Sequence, residues 1–255
     1  AAITNPDVRL PFISQYSGDM TLDSLQFKRT PQQTSLQAGL HIPRLSLQLA
    51  KGQKFSGDVQ TGSTRITLTE NIFSVKSDLT AQNASCRLGP HKSVKGHVTL
   101  TAFTLQQQGA MVSVESKGQL TKADLSWREY LFKGNPLFSA TLEYNRADKK
   151  WEHASGSLKL DGSSLKGIPH LSELTQIRGT LTLDQDTLAT RSLRFGFADT
   201  PFLLSGTLLD PGNPRVNARL ASDGTMALTK ITPFFSDWLT QHQLNIQGQS
   251  SLTVE

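Results

Sequence analysis

Apolar and polar residues alternate along most of this chain. Between Ile177 and Asp184, the residues Ile177, Gly179, Leu181 and Leu183 point one way, and Arg178, Thr180, Thr182 and Asp184 point the other. Leu193, Phe195 and Phe197 alternate with Ser192, Arg194 and Gly196. Phe202 to Leu209 is apolar on the face that carries Phe202, Leu204 and Leu208, and Val216, Ala218 and Leu220 alternate with Arg215, Asn217 and Arg219. A period of two predicts strands with one dry and one wet face. The separators, Asp184–Asp186, Asp199–Pro201, Pro211–Pro214 and Asp223–Gly224, are turn chemistry. A meander of antiparallel strands follows.

The same rhythm runs through the earlier chain. It is visible at Met20 and Leu22, at Leu45, Leu47 and Leu49, at Ile66 and Leu68, and at Phe138, Ala140, Leu142 and Tyr144. Asp23–Ser24 and Asp161–Gly162 read as turns, and Asn145–Lys150 as a hairpin tip carrying Arg146, Lys149 and Lys150. The phase changes at Thr101–Ala102, which is the mark of a bulge. Glycines open many runs, among them Gly18, Gly57, Gly96, Gly118, Gly156, Gly179 and Gly206, at spacings that taken together follow no strict period. Three segments read as helices: Ser126–Lys133, Ile168–Gln176 and Thr229–Gln241. The last has Ile231, Phe234, Phe235, Trp238 and Leu239 on one side and is expected to plug an end or edge of the sheet. No long linker interrupts the chain, so residues 1–255 read as one continuous β-rich segment.

The stretch GTLTLDQDTLATRSLRF, followed by ADTPFLLSGTLLDP and PRVNARLASDG, resembles the AsmA-like proteins of Gram-negative bacteria, which are of the bridge-like lipid-transfer type. The resemblance is best over Leu171–Thr240. It implies a mostly β fold: a long antiparallel sheet, curled into an open, taco-like groove, with a few short helices closing its ends or edges. It also implies a periplasmic location and an inner-membrane anchor in a longer parent protein. The implied role lies in phospholipid movement and outer-membrane biogenesis, with no catalytic residues.

Composition narrows the alternatives. Charged residues make up 18% and hydrophobic ones 36%, which argues against a disordered tail. No apolar run approaches the roughly 18 residues of a membrane-spanning helix. The net charge of +5 would suit an anionic partner. The cations are dispersed, however, without the interleaved aromatics of a nucleic-acid surface, so no nucleic-acid partner is expected. A chain that starts at Ala1 and stops in a strand-like run reads as a portion of a longer protein without its targeting segment. The single Cys86 reads as a small apolar residue.

Catalytic chemistry is missing from the pattern. There is no phosphate loop, since Gly162–Gly167 is followed by Ile168 where the required lysine would stand, and no nucleophile elbow. His91 and His97 stand too far apart in a strand to share a metal ion, and Asp184 and Asp186 read as a hairpin turn. No cofactor and no metal are expected. The leading expectation is a non-enzymatic scaffold whose dry face carries phospholipid acyl chains. Burying a sixteen-carbon chain is worth on the order of 12 kcal/mol before entropy costs. The expected lining is Leu181, Leu183, Leu193, Phe195, Phe197, Phe202, Leu204, Leu208, Val216 and Leu220. The same residues would equally form the core of a closed sandwich. The alternative function is a periplasmic interaction or chaperone-like module for outer-membrane assembly proteins, pairing its sheet edge with client strands.

Overall fold

The computed structural model describes residues 2–3, 13–49, 52–168, 173–197, 199–210, 215–227, 249–250 and 253–254. The period-two segments all become strands. In chain order these are β1 (Ala2–Ile3), β2 (Ile13–Ser17), β3 (Met20–Arg29), β4 (Gln33–Leu49), β5 (Lys54–Thr69), β6 (Ile72–Gly89), β7 (Lys92–Gln108), β8 (Met111–Trp127) and β9 (Tyr130–Gly134). They continue with β10 (Leu137–Asn145), β11 (Lys150–Lys166), β12 (Leu174–Asp184), β13 (Thr187–Phe197), β14 (Thr200–Leu209), β15 (Arg215–Ser222), β16 (Met226–Ala227), β17 (Gln249–Ser250) and β18 (Thr253–Val254). Sixteen of them form one sheet, whose main path runs β1-β3-β4-β5-β6-β7-β8-β10-β11-β12-β13-β14-β15-β18. Every pairing is antiparallel. β9 and β10 act as one interrupted strand between β8 and β11. β16 and β17 pair separately. The protein is thus a mostly β, long, curled antiparallel sheet.

Several local expectations are corrected. Ser126–Lys133 is not a helix: it spans the end of β8, a two-residue turn and most of β9. Its aromatics suit a strand once the turn at Arg128 and Glu129 is allowed, with Arg128 at φ 54°. Leu174 to Gln176 begin β12, so the end of the expected helix Ile168–Gln176 is strand. The expected helix Thr229–Gln241 lies outside the described residues, and among the described residues there is no α-helix. Asp161–Gly162 and Asp23–Ser24 are not turns but lie inside β11 and β3, with Gly162 at φ 70° and Ser24 at φ 53°. The four strands β12 to β15 and the phase change at Thr101–Ala102 fall where the pattern puts them.

The bulges are what give the sheet its shape. β4, β6 and β8 each carry a residue in left-handed backbone, Arg44, Asn83 and Lys122, standing 39 positions apart, and Gly162 of β11 follows 40 later. At each site the register shifts, or the flanking pair on the partner strand is offset. A bulge bends its strand and increases the local twist, so a line of them crossing the sheet creases it. The residues flanking each bulge on the inner side are buried: Ile42 and Leu45, Ala81 and Ala84, Leu120 and Ala123, Leu160 and Ser163. A second line crosses β3, β5 and β7 at Asp23, Gly62 and Thr101, again 39 apart.

Candidate functional site

The apolar residues join into rows that cross the sheet at right angles to the strands. One row reads Phe27, Leu36, Ile66, Val75, Leu105, Val114 and Leu142, each directly opposite the next. A second reads Leu47, Phe55, Cys86, Val94, Leu125, Phe132, Leu165 and Leu174. Between them, in the crease, run Ile42, Val59, Ala81, Val98 and Leu120. Because side chains alternate across a strand, register keeps these rows on one face. Gln37, Arg65, Lys76, Thr104 and Glu115 mark the other face in the same way.

That apolar face is only partly dry. Among the described residues, buried apolar side chains are confined to the crease and to Ile177, Phe197 and Phe202, while the flanking rows are half-buried except for Phe27, which is exposed. The closed-sandwich reading of these residues therefore fails: a sealed core would leave Leu105 or Val114 as dry as Val59.

The expected lining residues divide by position. Leu193, Phe195, Phe197, Phe202 and Leu204 come together across β13 and β14. Phe195 stacks on Phe202 with centroids 5.7 Å apart, and Phe197 tilts against Phe202 at 6.4 Å. Leu174 and Leu220 pack on this cluster. Leu181 and Leu208 lie half-buried on the same face. Leu183 is exposed, and Val216, though on the apolar face by register, is 70% exposed on strand β15. The pattern over β12 to β15 drew the list too narrowly. The same face continues through β3 to β11 with larger rows, and their alternation was legible in the sequence.

The bulges add a feature that alternation does not reveal. At Arg44, Asn83 and Lys122 the spare backbone N–H is taken up by a side chain from the following strand or link. Arg44 N–H donates to Asp58 Oδ1 at 2.7 Å, Asn83 N–H to His97 Nδ1 at 3.1 Å, and Lys122 N–H to Asn135 Oδ1 at 2.7 Å. Each acceptor directly follows a glycine, Gly57, Gly96 or Gly134, and each of these glycines lies under the bulged strand of the next hairpin. A Cβ on Gly96, which has φ 147°, would come within 2.8 Å of the Thr121 carbonyl oxygen. Only glycine allows that approach. The signal in the sequence is a glycine followed by Asp, His or Asn, Gly57 and Gly96 standing 39 residues apart and Gly134 following 38 later.

Titratable chemistry on the face is sparse. Burial between Phe55 and Val94 pushes the pKa of the Cys86 thiol up. Among the described residues no group of three or more His, Cys, Asp or Glu is placed to hold a metal ion. No described helix is long and apolar enough to cross a membrane. Comparison with family models, curated proteins and solved structures found no match.

Proposed function

We propose that this protein is a non-enzymatic lipid-binding scaffold whose apolar face carries the acyl chains of phospholipids. The observation that supports this most is the row structure: apolar residues in unbroken register across the sheet, folded along a crease and left half wet. Water on such a face is costly. An acyl chain lying along it gains about 0.8 kcal/mol per buried CH₂, and the crease offers a floor for it to lie on. The resemblance to AsmA-like proteins extends the reading to movement of phospholipid between inner and outer membranes, in the periplasm, on behalf of outer-membrane biogenesis.

Extraction and mass spectrometry of lipids from the purified protein test this, with Cys86 as a reporter. An environment-sensitive fluorophore on that single thiol should shift to the blue when lipid is added. Protein that carries no lipid and a fluorophore that never responds would overturn the reading. One observation favours a second reading, an interaction module for outer-membrane proteins. Among the described residues, the pairing that ends the sheet, β15 with β18 at Leu220 and Ala221, is short, and a short edge pairing is one that a client strand could extend. Binding of unfolded β-barrel segments by lipid-free protein would support it.

A further inference from the structure

The two rims of the sheet differ in charge. At one rim lie the turns 70–71, 109–110, 146–149 and 185–186. There Arg146, Lys149 and Lys150 are interspersed with Asp148, Glu152, Asp184 and Asp186, and Lys150 reaches Glu152 at 3.9 Å. At the opposite rim, β5 to β9 end in a basic group. Lys54 stands directly opposite Arg87, Arg87 opposite Ser93, and the neighbouring Lys92 opposite Trp127. Arg128 follows in the turn. The acids Asp124 and Glu173 here are engaged by Lys133 and Lys166 at 3.9 and 3.2 Å; Glu129 lies in the turn beside Arg128, and Asp199 and Asp223 lie farther along the same rim.

Two features of this rim go against stability. Like charges directly opposite each other on neighbouring strands repel, as Lys54 and Arg87 must. Large apolar side chains are also left in water: Trp127 is 60% exposed, Leu88 46% and Tyr130 38%. Lys92 Nζ sits 4.8 Å from the centroid of the Trp127 ring. Trp and Tyr beside Lys and Arg, apolar below and polar above, match the level of a lipid where tail meets headgroup.

We infer that this rim holds the anionic headgroups of phospholipids whose tails lie on the apolar face. The inference rests on the lipid-binding reading and adds an orientation to it. Tails run down into the crease, and phosphate-bearing headgroups meet Lys92 and Arg128; Lys54 and Arg87, next to Phe55 and Cys86 in their strands, point to the opposite face. The occupant covers Trp127 and Tyr130.

The test uses the full chain with two kinds of vesicle, phosphatidylglycerol and phosphatidylcholine, of identical acyl chains. Each carries a tracer lipid of its own headgroup, labelled on the acyl chain, and the tracer on the protein is counted after the vesicles are pelleted. The anionic lipid should load several-fold better, and high salt should erase the advantage. Reversing Lys92 and Arg128 to Glu should lower anionic loading on the order of tenfold or more and leave zwitterionic loading unchanged. Arg128→Gln, in an exposed turn, guards against a folding defect: it should leave Tm nearly unchanged while lowering anionic loading. Equal loading of the two headgroups, or an equal loss on reversing Arg146, Lys149 and Lys150 at the other rim, would overturn the inference and leave the groove standing. Loading of neither lipid would remove the groove itself, and the headgroup site with it.

Discussion

Phe195 and Phe202 stack on each other, yet a charge introduced at each should act differently. Phe195 is half-buried, so a carboxylate there can reach water by a small adjustment. Phe202 is 4% exposed, and a carboxylate there must be desolvated or protonated. Phe195→Glu should therefore leave the fold standing, losing about 1–2 kcal/mol, much of it the ring contact, while lipid loading falls. Phe202→Glu should lose several kcal/mol by denaturant titration. Equal losses at the two positions would mean that the face is sealed after all. Arg194→Glu, on the opposite face, should change neither. Ser163 presents the converse case. It occupies the place that Leu45, Ala84 and Ala123 take in the earlier hairpins, it is fully buried, and its Oγ has no hydrogen-bond partner among the described residues. Ser163→Ala removes a desolvated hydroxyl and leaves Cβ against Gly134, and should stabilise by about 1 kcal/mol. A loss of stability would show that the hydroxyl is bonded in solution.

At the scale of the strand, the caps on the bulges can be separated from the bulges themselves. Asp58→Ala strips the acceptor from Arg44 N–H and should cost about 1 kcal/mol in thermal or denaturant unfolding. Asp58→Asn keeps an acceptor, as Asn135 does for Lys122, and should restore most of the loss. If both substitutions cost the same, the hydrogen bond is not what Asp58 supplies. This is also the scale at which the sequence was hardest to read. Alternation names the strands because it reports directly which side chains meet water. A bulge and a turn, by contrast, call for the same residues. Both need a left-handed backbone, and both favour Gly, Asn, Asp or Ser, so Asp161–Gly162 and Asp23–Ser24 look like strand ends when they sit in mid-strand. Ser126–Lys133 is misread for a related reason: its tight turn breaks the alternation between Leu125, Trp127 and Tyr130, Phe132, and the aromatic run that remains looks like a helix. The 39-residue spacing of Gly18, Gly57 and Gly96 is hidden when every glycine is counted together. Gly118 and Gly156 sit elsewhere on the face, opposite Leu100 and Leu183.

For the molecule as a whole, the decisive quantity is how much of the apolar face stays wet, and only part of that was legible. Two-faced strands were plain in the sequence, but the same alternation serves a sandwich and an open sheet equally. The two are told apart by what lies over the face, which depends on long-range geometry. The bulge lines settle the curvature, and they could be recognised only once the register was known. The charge difference between the rims was similarly invisible in a chain whose cations look dispersed. Lys54, Arg87, Lys92 and Arg128 are well separated in sequence and become neighbours through pairing alone.

The 39-residue spacing also bears on how such a chain can change in size. From β4 to β8, neighbouring hairpins rest on one another through the same contacts: a glycine beneath a bulge, a polar cap on its N–H, and a buried pair beside it. Neighbouring hairpins are therefore interchangeable parts, and a copied unit would meet the same surface that the original meets. An in-frame duplication of residues 57–95 should then be accommodated as one more rung, lengthening the sheet by two strand spacings, about 10 Å, while its cross-section stays the same. Length and bore are independent in this design, so evolution could extend its reach by copying a stretch of gene without redesigning the interior.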